Sequence, residues 1–475
     1  METTLPAPAS DVSEPMHSAQ TPDLPIVHNL KIGLFHLGSG MADVMINGIW
    51  NRIMISDLGF SATPIGLLVA LRYFLAPLGV WAGRKSDERR MFGFRRLFWI
   101  WLGRVMMVLS TIMLGFTTAS IARGIEVTPF TWLTLAAALL IFSLGNAISG
   151  STFLALIYDR AAESQRTRAV GIVWTFLLVG FTIAGIFFGM LLPSGEGDAI
   201  NEYTPETLQN LFLIAALVLG ALWFFSLLGE EKRDMAPVSR QDQREKSSSA
   251  RADLKQAWRI PSMRSFFWFL ALSMIFAFSQ DLILEPFAGD VFGMPAHTTT
   301  RFAAYWGSMA ILGTIVFIFL SRRYKWLTNT MMNYIGVAVL LITFLLLALS
   351  SLANIRGLVT PALITLGIGL GIWNVGTLGM MMDMSPFGKA GTFLGFWSLV
   401  VTFARGIGVS GGGILRDVFL SFGDTYALAY GLVFLVGAAG LGAALYMLSR
   451  VNVRAFKTAE EQPAEAGAVF AGGLD

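Results

Sequence analysis

The chain has 475 residues, of which 55% are hydrophobic and only 14% charged, and its mean hydropathy is +0.63. A soluble fold of this length covers its surface largely with Lys, Glu, Asp and Arg, so the composition excludes a soluble globular protein. The absence of cysteine excludes disulfides, thiolate metal sites, iron–sulfur clusters and thiol redox chemistry, and the net charge of +3 matters less than its distribution.

In chain order, residues 1–29 are rich in Pro, Ser and Ala without an apolar core, and read as a disordered cytoplasmic tail and not as a cleavable signal peptide. A bilayer needs about 20 apolar residues per spanning helix. Such runs fall near 30–55, 63–83, 97–118, 130–156, 168–192 and 208–229. They resume near 264–288, 301–321, 328–351, 358–382, 391–415 and 425–449. The charged stretch 230–262 between the two sets reads as a cytoplasmic linker, and 450–475 as a second cytoplasmic tail. The expected fold is therefore an all-α membrane protein of twelve transmembrane helices, in two six-helix halves spanning 30–229 and 263–449.

Basic residues set the orientation. The connection after the second helix carries Arg84, Lys85, Arg89, Arg90, Arg95 and Arg96, and the one after the eighth carries Arg322, Arg323 and Lys325. The final tail opens with Arg450, Arg454 and Lys457, whereas the connection after the fifth helix holds Glu196, Asp198, Glu202 and Glu206 without a cation. Because Lys and Arg stay on the cytoplasmic side, both termini are expected inside.

The halves echo one another. Asp57-Leu58-Gly59 follows the first helix as Asp290-Val291-Phe292-Gly293 follows the seventh. Asp159 precedes Gly171 by twelve positions, as Asp383 precedes Gly395. A parallel six-plus-six repeat is the architecture of facilitator-type transporters, with a cavity between the halves.

Ionisable side chains in hydrocarbon are costly and normally face protein or water, so those at membrane depth are the candidate site. His36, Gly40, Asp43, Asn47 and Asn51 fall on one stripe of the first helix at about 3.6 residues per turn. Arg72 lies at similar depth on the second helix and is a natural partner for Asp43. The seventh helix adds Ser273, Gln280, Asp281 and Glu285, the eleventh Ser398, Thr402 and Arg405, and the third Arg104. Structural ion pairing and a polar binding cavity are both open readings of these residues. The repeat sets Arg52 against Glu285, which suggests an ion pair closing the outer mouth. His36 is a candidate ligand for the magnesium of a chlorin, since neutral imidazole binds metals. Gly185 with Gly189 and Gly408 with Gly412 suit close helix approach, and most of the 13 Trp and 37 Phe are expected at lipid or interface.

Several runs go beyond a generic facilitator: Asn51-Arg52-Ile53-Met54-Ile55, Gln280 to Phe287, Met381 to Ser385, Ala390 to Trp397, Ala404-Arg405-Gly406 and Gly412 to Asp417. Over residues 30–450 the chain resembles the PucC and LhaA family, the bacteriochlorophyll delivery group of the major facilitator superfamily. That resemblance implies an assembly factor for the light-harvesting antenna of purple bacteria, in the inner (intracytoplasmic) membrane. Its implied partners are antenna polypeptides and bacteriochlorophyll, the pigment being cargo. The loop Gly79 to Asp87 is a degenerate form of the general facilitator loop motif. Some family members have been labelled bacteriochlorophyll synthases, yet no pair of Asp-rich magnesium–diphosphate motifs is present, so an enzyme is not expected. The competing reading is a proton-coupled facilitator for an amphipathic solute, resting on Asp43, Asp281 and Glu285.

Overall fold

Pro286 and Pro77 divide two of the apolar runs, and the polypeptide is best followed from those breaks. The computed structural model describes residues 24–162, 165–193, 204–233, 258, 260–385, 390–423, 425–453 and 456. The first spanning unit is α1 (Ile26–Val44), prolonged by π-helical turns at Met45–Trp50 and Ile53–Asp57. The second is α2 (Ala62–Phe74) and α3 (Ala76–Glu88), interrupted at Leu75, with Pro77 in the first turn of α3 where its missing N–H costs nothing. Unbroken helices follow: α4 (Leu97–Ala122), α5 (Pro129–Arg160), α6 (Arg166–Leu191) and α7 (Pro205–Phe225).

The seventh unit is α8 (Pro261–Ala277) and α9 (Leu284–Phe292), and the eighth is the short α10 (Ala296–Thr300) with α11 (Phe302–Arg323). Then come α12 (Asn329–Leu352), α13 (Val359–Asp383), α14 (Ala390–Phe422) and α15 (Tyr426–Ser449). Ten of these units are long and apolar enough to cross a membrane, and α1 and α8–α9 occupy the two remaining places of the twelve. No strand occurs among the described residues, apart from one isolated bridge between Met91 and Phe94.

The seventh run is not the single helix expected over 264–288. Proline at 286 has no N–H to give the carbonyl of Leu282, four residues back, so a continuous helix would leave that acceptor unpaired. The chain instead turns through 278–283, and Asn51 of the first unit donates its side-chain amide to the Leu282 carbonyl at 2.6 Å. α9 ends at Gly293, whose φ of +60° is the left-handed cap that glycine adopts at little cost. The π turns of the first unit leave the Arg52 amide for a side chain, and Asn51 Oδ1 accepts it at 2.7 Å.

Small residues set the packing. A side chain on Gly40 or Gly180 would strike backbone of the facing helix, which is how α1 and α6 approach. Gly408 and Gly412 press in the same way on the backbone of Ile275 and Ser279. Gly185 and Gly189 of α6 meet α10 and α11 of the other half, at Ala304 and His297.

The halves also meet where α2 lies along α14, with Ala62 at Gly413, Gly66 at Ser410 and Tyr73 at Gly406. These contacts occupy the middle and the end opposite the basic connections. At the basic end, side chains added at Gly150, Gly171 or Gly395 would find nothing within 4 Å. Most tryptophans are exposed or partly exposed, and four are not. Trp81, Trp174, Trp258, Trp268 and Trp326 are exposed, but Trp50, Trp223, Trp373 and Trp397 are among the most buried side chains, and Trp50 donates to Thr118 at 3.1 Å.

Candidate functional site at the interface of the two halves

Where the α1 stripe meets the break in the seventh unit, four charges gather. Arg72 forms an ion pair with Asp43 and donates to the Tyr73 hydroxyl at 2.5 Å. In the other half, Arg405 binds Asp281 at 2.8 Å, and Gln280 donates to the second Asp281 oxygen at 2.7 Å. The two pairs are joined across the interface by Arg405 to Asp43 at 3.8 Å. The Arg405 guanidinium also covers the Phe278 ring at 4.2 Å. Two Arg and two Asp sum to no net charge, which suits a buried site, where an unpaired ion is strongly penalised. Asn47 lies one turn beyond Asp43, in the π-helical turn Met45–Trp50, and its buried Oδ1 has no hydrogen-bond partner among the described residues.

Arg52 and Glu285 do not form the expected pair. Arg52 binds Asp57 at 2.7 Å and donates to the carbonyl of Met294 at 3.1 Å. The cause is the π-helical turn, whose five-residue spacing brings Asp57 to the face that carries Arg52. Glu285 is 5% exposed in the first turn of α9 and points at the Gly48 position, with no ion pair among the described residues.

His36 is separate from this group, with α5 and α6 on either side. Its ring lies 4.9 Å from that of Phe153 and 5.7 Å, edge-on, from that of Trp174. Arg104 is buried with no carboxylate partner among the described residues, its guanidinium lying 4.3 Å from the Phe35 ring and 4.6 Å from that of Trp223. His297 supplies the backbone carbonyl against which Gly189 packs.

A second polar cluster, at the end opposite the basic connections, was not anticipated. Asp417 accepts the backbone amides of Ala62 at 3.1 Å and Thr63 at 2.7 Å, capping α2 from the other half. The neighbouring Arg416 binds Asp417 at 2.9 Å and Asp290 at 3.0 Å, and Tyr430 donates to Asp290 at 2.7 Å. Arg416 and Asp417 close one of the sequence runs quoted above, but nothing in that run signals a partner that is backbone amide. At the basic end, Glu231 caps α4 through the amides of Arg95, Arg96 and Leu97 at 2.6–3.0 Å. Glu230 binds Lys31 at 2.9 Å and Arg160 at 3.4 Å, so the first residues of the expected linker are docked on the N-terminal half. Residues 234–257 of that linker lie outside the described residues, as do the tail 1–23 and the acidic connection residues Glu196, Asp198 and Glu202.

Twelve helical units in two bundles, with paired charges between them, define a multi-pass membrane protein of the major facilitator fold. Solved structures agree. A bacterial homologue of the human lysosomal transporter Spinster, in its inward-facing unoccupied conformation, matches with a TM-score of 0.69 at 16% identity, over 91% of this chain and 98% of its own. A D-xylose–proton symporter matches at 0.66 and 14% identity, over 90% and 99%.

Within that fold the chain belongs to the PUCC protein family, whose model matches residues 49–456. "Protein PucC" of Rhodobacter capsulatus is 27% identical over 443 residues, covering 89% of this chain and 92% of the relative. "Bacteriochlorophyll synthase 44.5 kDa chain" of the same species is 29% identical over 425 residues, covering 86% and 93%.

Proposed function

We propose that this chain is an assembly factor for light-harvesting antenna complexes, which hands bacteriochlorophyll to antenna polypeptides or chaperones them in the membrane. The observation that carries the reading is family membership over residues 49–456, together with a relative named for bacteriochlorophyll. The facilitator fold supports handling of a ligand more than its synthesis. In the central site Asp43 and Asp281 are each committed to an arginine, which leaves no paired carboxylates to hold a magnesium–diphosphate.

By the distribution of Lys and Arg, the basic end faces the cytoplasm of a bacterial inner membrane with both termini inside. Residues 30–229 and 263–449 then act as the two halves, joined by a cytoplasmic linker over 230–262. The gap at Gly150, Gly171 and Gly395 would open to that side. His36, Asp43, Asn47, Asn51, Arg72, Gln280, Asp281 and Arg405 are the proposed cavity residues, with Glu285 and Arg52 deeper toward the closed end.

Deleting the gene, together with any paralogues, should lower mature antenna absorption in photosynthetic membranes while free pigment is still made. Unchanged antenna absorption would refute the reading. A second reading is favoured by one feature, the buried Glu285 with no cation partner among the described residues. A proton-coupled porter uses such a carboxylate. Proton uptake by proteoliposomes on addition of an amphipathic solute, lost in Glu285→Gln, would support that alternative.

A further inference from the structure

Helix α1 carries a buried histidine, His36. No hydrogen bond among the described residues reaches His36, which is 9% exposed with its Nδ1 buried. An unsatisfied buried polar group loses its hydrogen bonds to water with nothing in return, so its presence calls for a reason. The second half of the molecule makes the contrast. Sixteen residues before Arg52 stands His36, and sixteen before Glu285 stands Phe269, which is fully buried. The C-terminal half fills the position with a phenyl ring, whereas the N-terminal half keeps an imidazole.

The surroundings describe a slot. Phe153 on α5 is fully buried beneath the imidazole, while Trp174 on α6 meets it edge-on and is 48% exposed, so the slot opens along α6. Three residues before each aromatic, and so on the same helix face, stand Gly150 and Gly171, and beside both there is open space. At the rim, Arg166 lies over the Tyr158 ring at 5.7 Å.

This chemistry rejects a bare metal ion. No group of three His, Cys, Asp or Glu residues is placed to hold one among the described residues. The Arg104 guanidinium lies 4.3 Å from the ring of Phe35, the residue just before His36, and would repel a free dication. A metal already chelated in a flat macrocycle is different. It is neutral, needs a single axial ligand, and presents an apolar plate to aromatic walls.

We propose that His36 is the axial ligand for the metal of such a macrocycle, a magnesium bacteriochlorin lying in the cleft between α5 and α6. This rests on the pigment-handling reading above and deepens it by naming the site. Arg104, Phe35 and Trp223 form the packed wall behind the ligand, and Gly150 and Gly171 leave room for its edge.

The test uses the full-length protein purified in mild detergent, titrated with bacteriochlorophyll and with its magnesium-free form. Resonance Raman spectroscopy reports the metal's coordination number. Wild type should bind the magnesium form at least about tenfold more tightly, a difference of roughly 1.4 kcal/mol. His36→Phe, which copies Phe269, should lose that advantage and leave the magnesium-free affinity unchanged. Should His36→Phe not fold, Gly171→Leu fills the slot instead and should weaken both forms.

Equal binding of the two forms by wild type overturns the proposal. So does unchanged axial coordination in His36→Phe, or unchanged affinity for both forms in Gly171→Leu. Failure here is separable from failure of the assembly role. A deletion that lowers antenna beside a His36→Phe protein that still coordinates pigment would sink the ligand and keep the function.

Discussion

Neutralising one member of the Asp43–Arg72 pair should cost far more than neutralising both. Removing one partner of a buried ion pair typically costs about 3–5 kcal/mol, because the other charge is left uncompensated. The two single changes should differ. Asp43→Asn leaves the charge of Arg72, whose side chain is 7% exposed, without a carboxylate pair among the described residues. Only neutral acceptors remain, the Tyr73 hydroxyl and the new amide oxygen, so the cost belongs in the range of about 3–5 kcal/mol. Arg72→Gln leaves Asp43, which is 22% exposed and still has Arg405 at 3.8 Å, so its cost should fall below that range. The double change removes both charges and keeps the site neutral. A coupling energy in the upper part of the usual span, about 0.5–3 kcal/mol, is expected. The assay is reversible unfolding of the four proteins in mixed detergent micelles, with abundance in membranes as a check. Losses additive within about 0.3–0.5 kcal/mol would refute direct pairing. A larger loss for Arg72→Gln than for Asp43→Asn would refute the bridging role given to Arg405.

Asp417→Ala removes the cap that α14 places on α2, an interaction class worth about 0.5–2 kcal/mol. A cysteine replacing Ser410 should then react faster with a membrane-impermeant maleimide in native vesicles, and unchanged labelling would show that the cap does not hold this end closed. Glycine at 40 and at 171 should respond oppositely to alanine. The methyl group at Gly40 meets the Leu177 carbonyl and should cost about 1–3 kcal/mol of overpacking, while at Gly171 it meets nothing, and equal melting temperatures would contradict the packing described.

Helical periodicity made the α1 stripe legible, and depth made Asp43 and Arg72 a natural pair, because both follow from counting residues along regular helices. Arg52 escapes that count for the complementary reason. Its link to Asp57 depends on a π-helical spacing of five, and a count at 3.6 residues per turn puts those side chains on different faces. The break in the seventh unit was half-written in the sequence: Pro286 announces that Leu282 lacks a partner, but only the fold brings Asn51 to it. Asp417 was beyond reach, since what it recognises is two backbone amides 355 and 354 residues away. Sequence patterns betray side chains that answer side chains at helical spacing, and hide those that answer backbone.

The two polar clusters at the interface share one helix, because α14 carries Arg405 in one and Arg416 with Asp417 in the other. The twelve helical steps from Arg405 to Asp417 rise roughly 18 Å without a proline, and the bends open to them lie at Gly406, Gly408 and the run Ser410 to Gly413. Whereas a bend at the glycines would free Asp417 alone, a tilt of α14 as a whole that withdraws Asp417 from the α2 amides also shifts Arg405. Its contact with Asp43 is already long at 3.8 Å, while that with Asp281 is close at 2.8 Å. The weaker, cross-half contact would yield first, leaving each half with its own neutral Arg–Asp pair. Separation at this level then exposes two dipolar sites and no isolated charge, which is the arrangement that makes movement between the halves least costly in a low-dielectric surrounding.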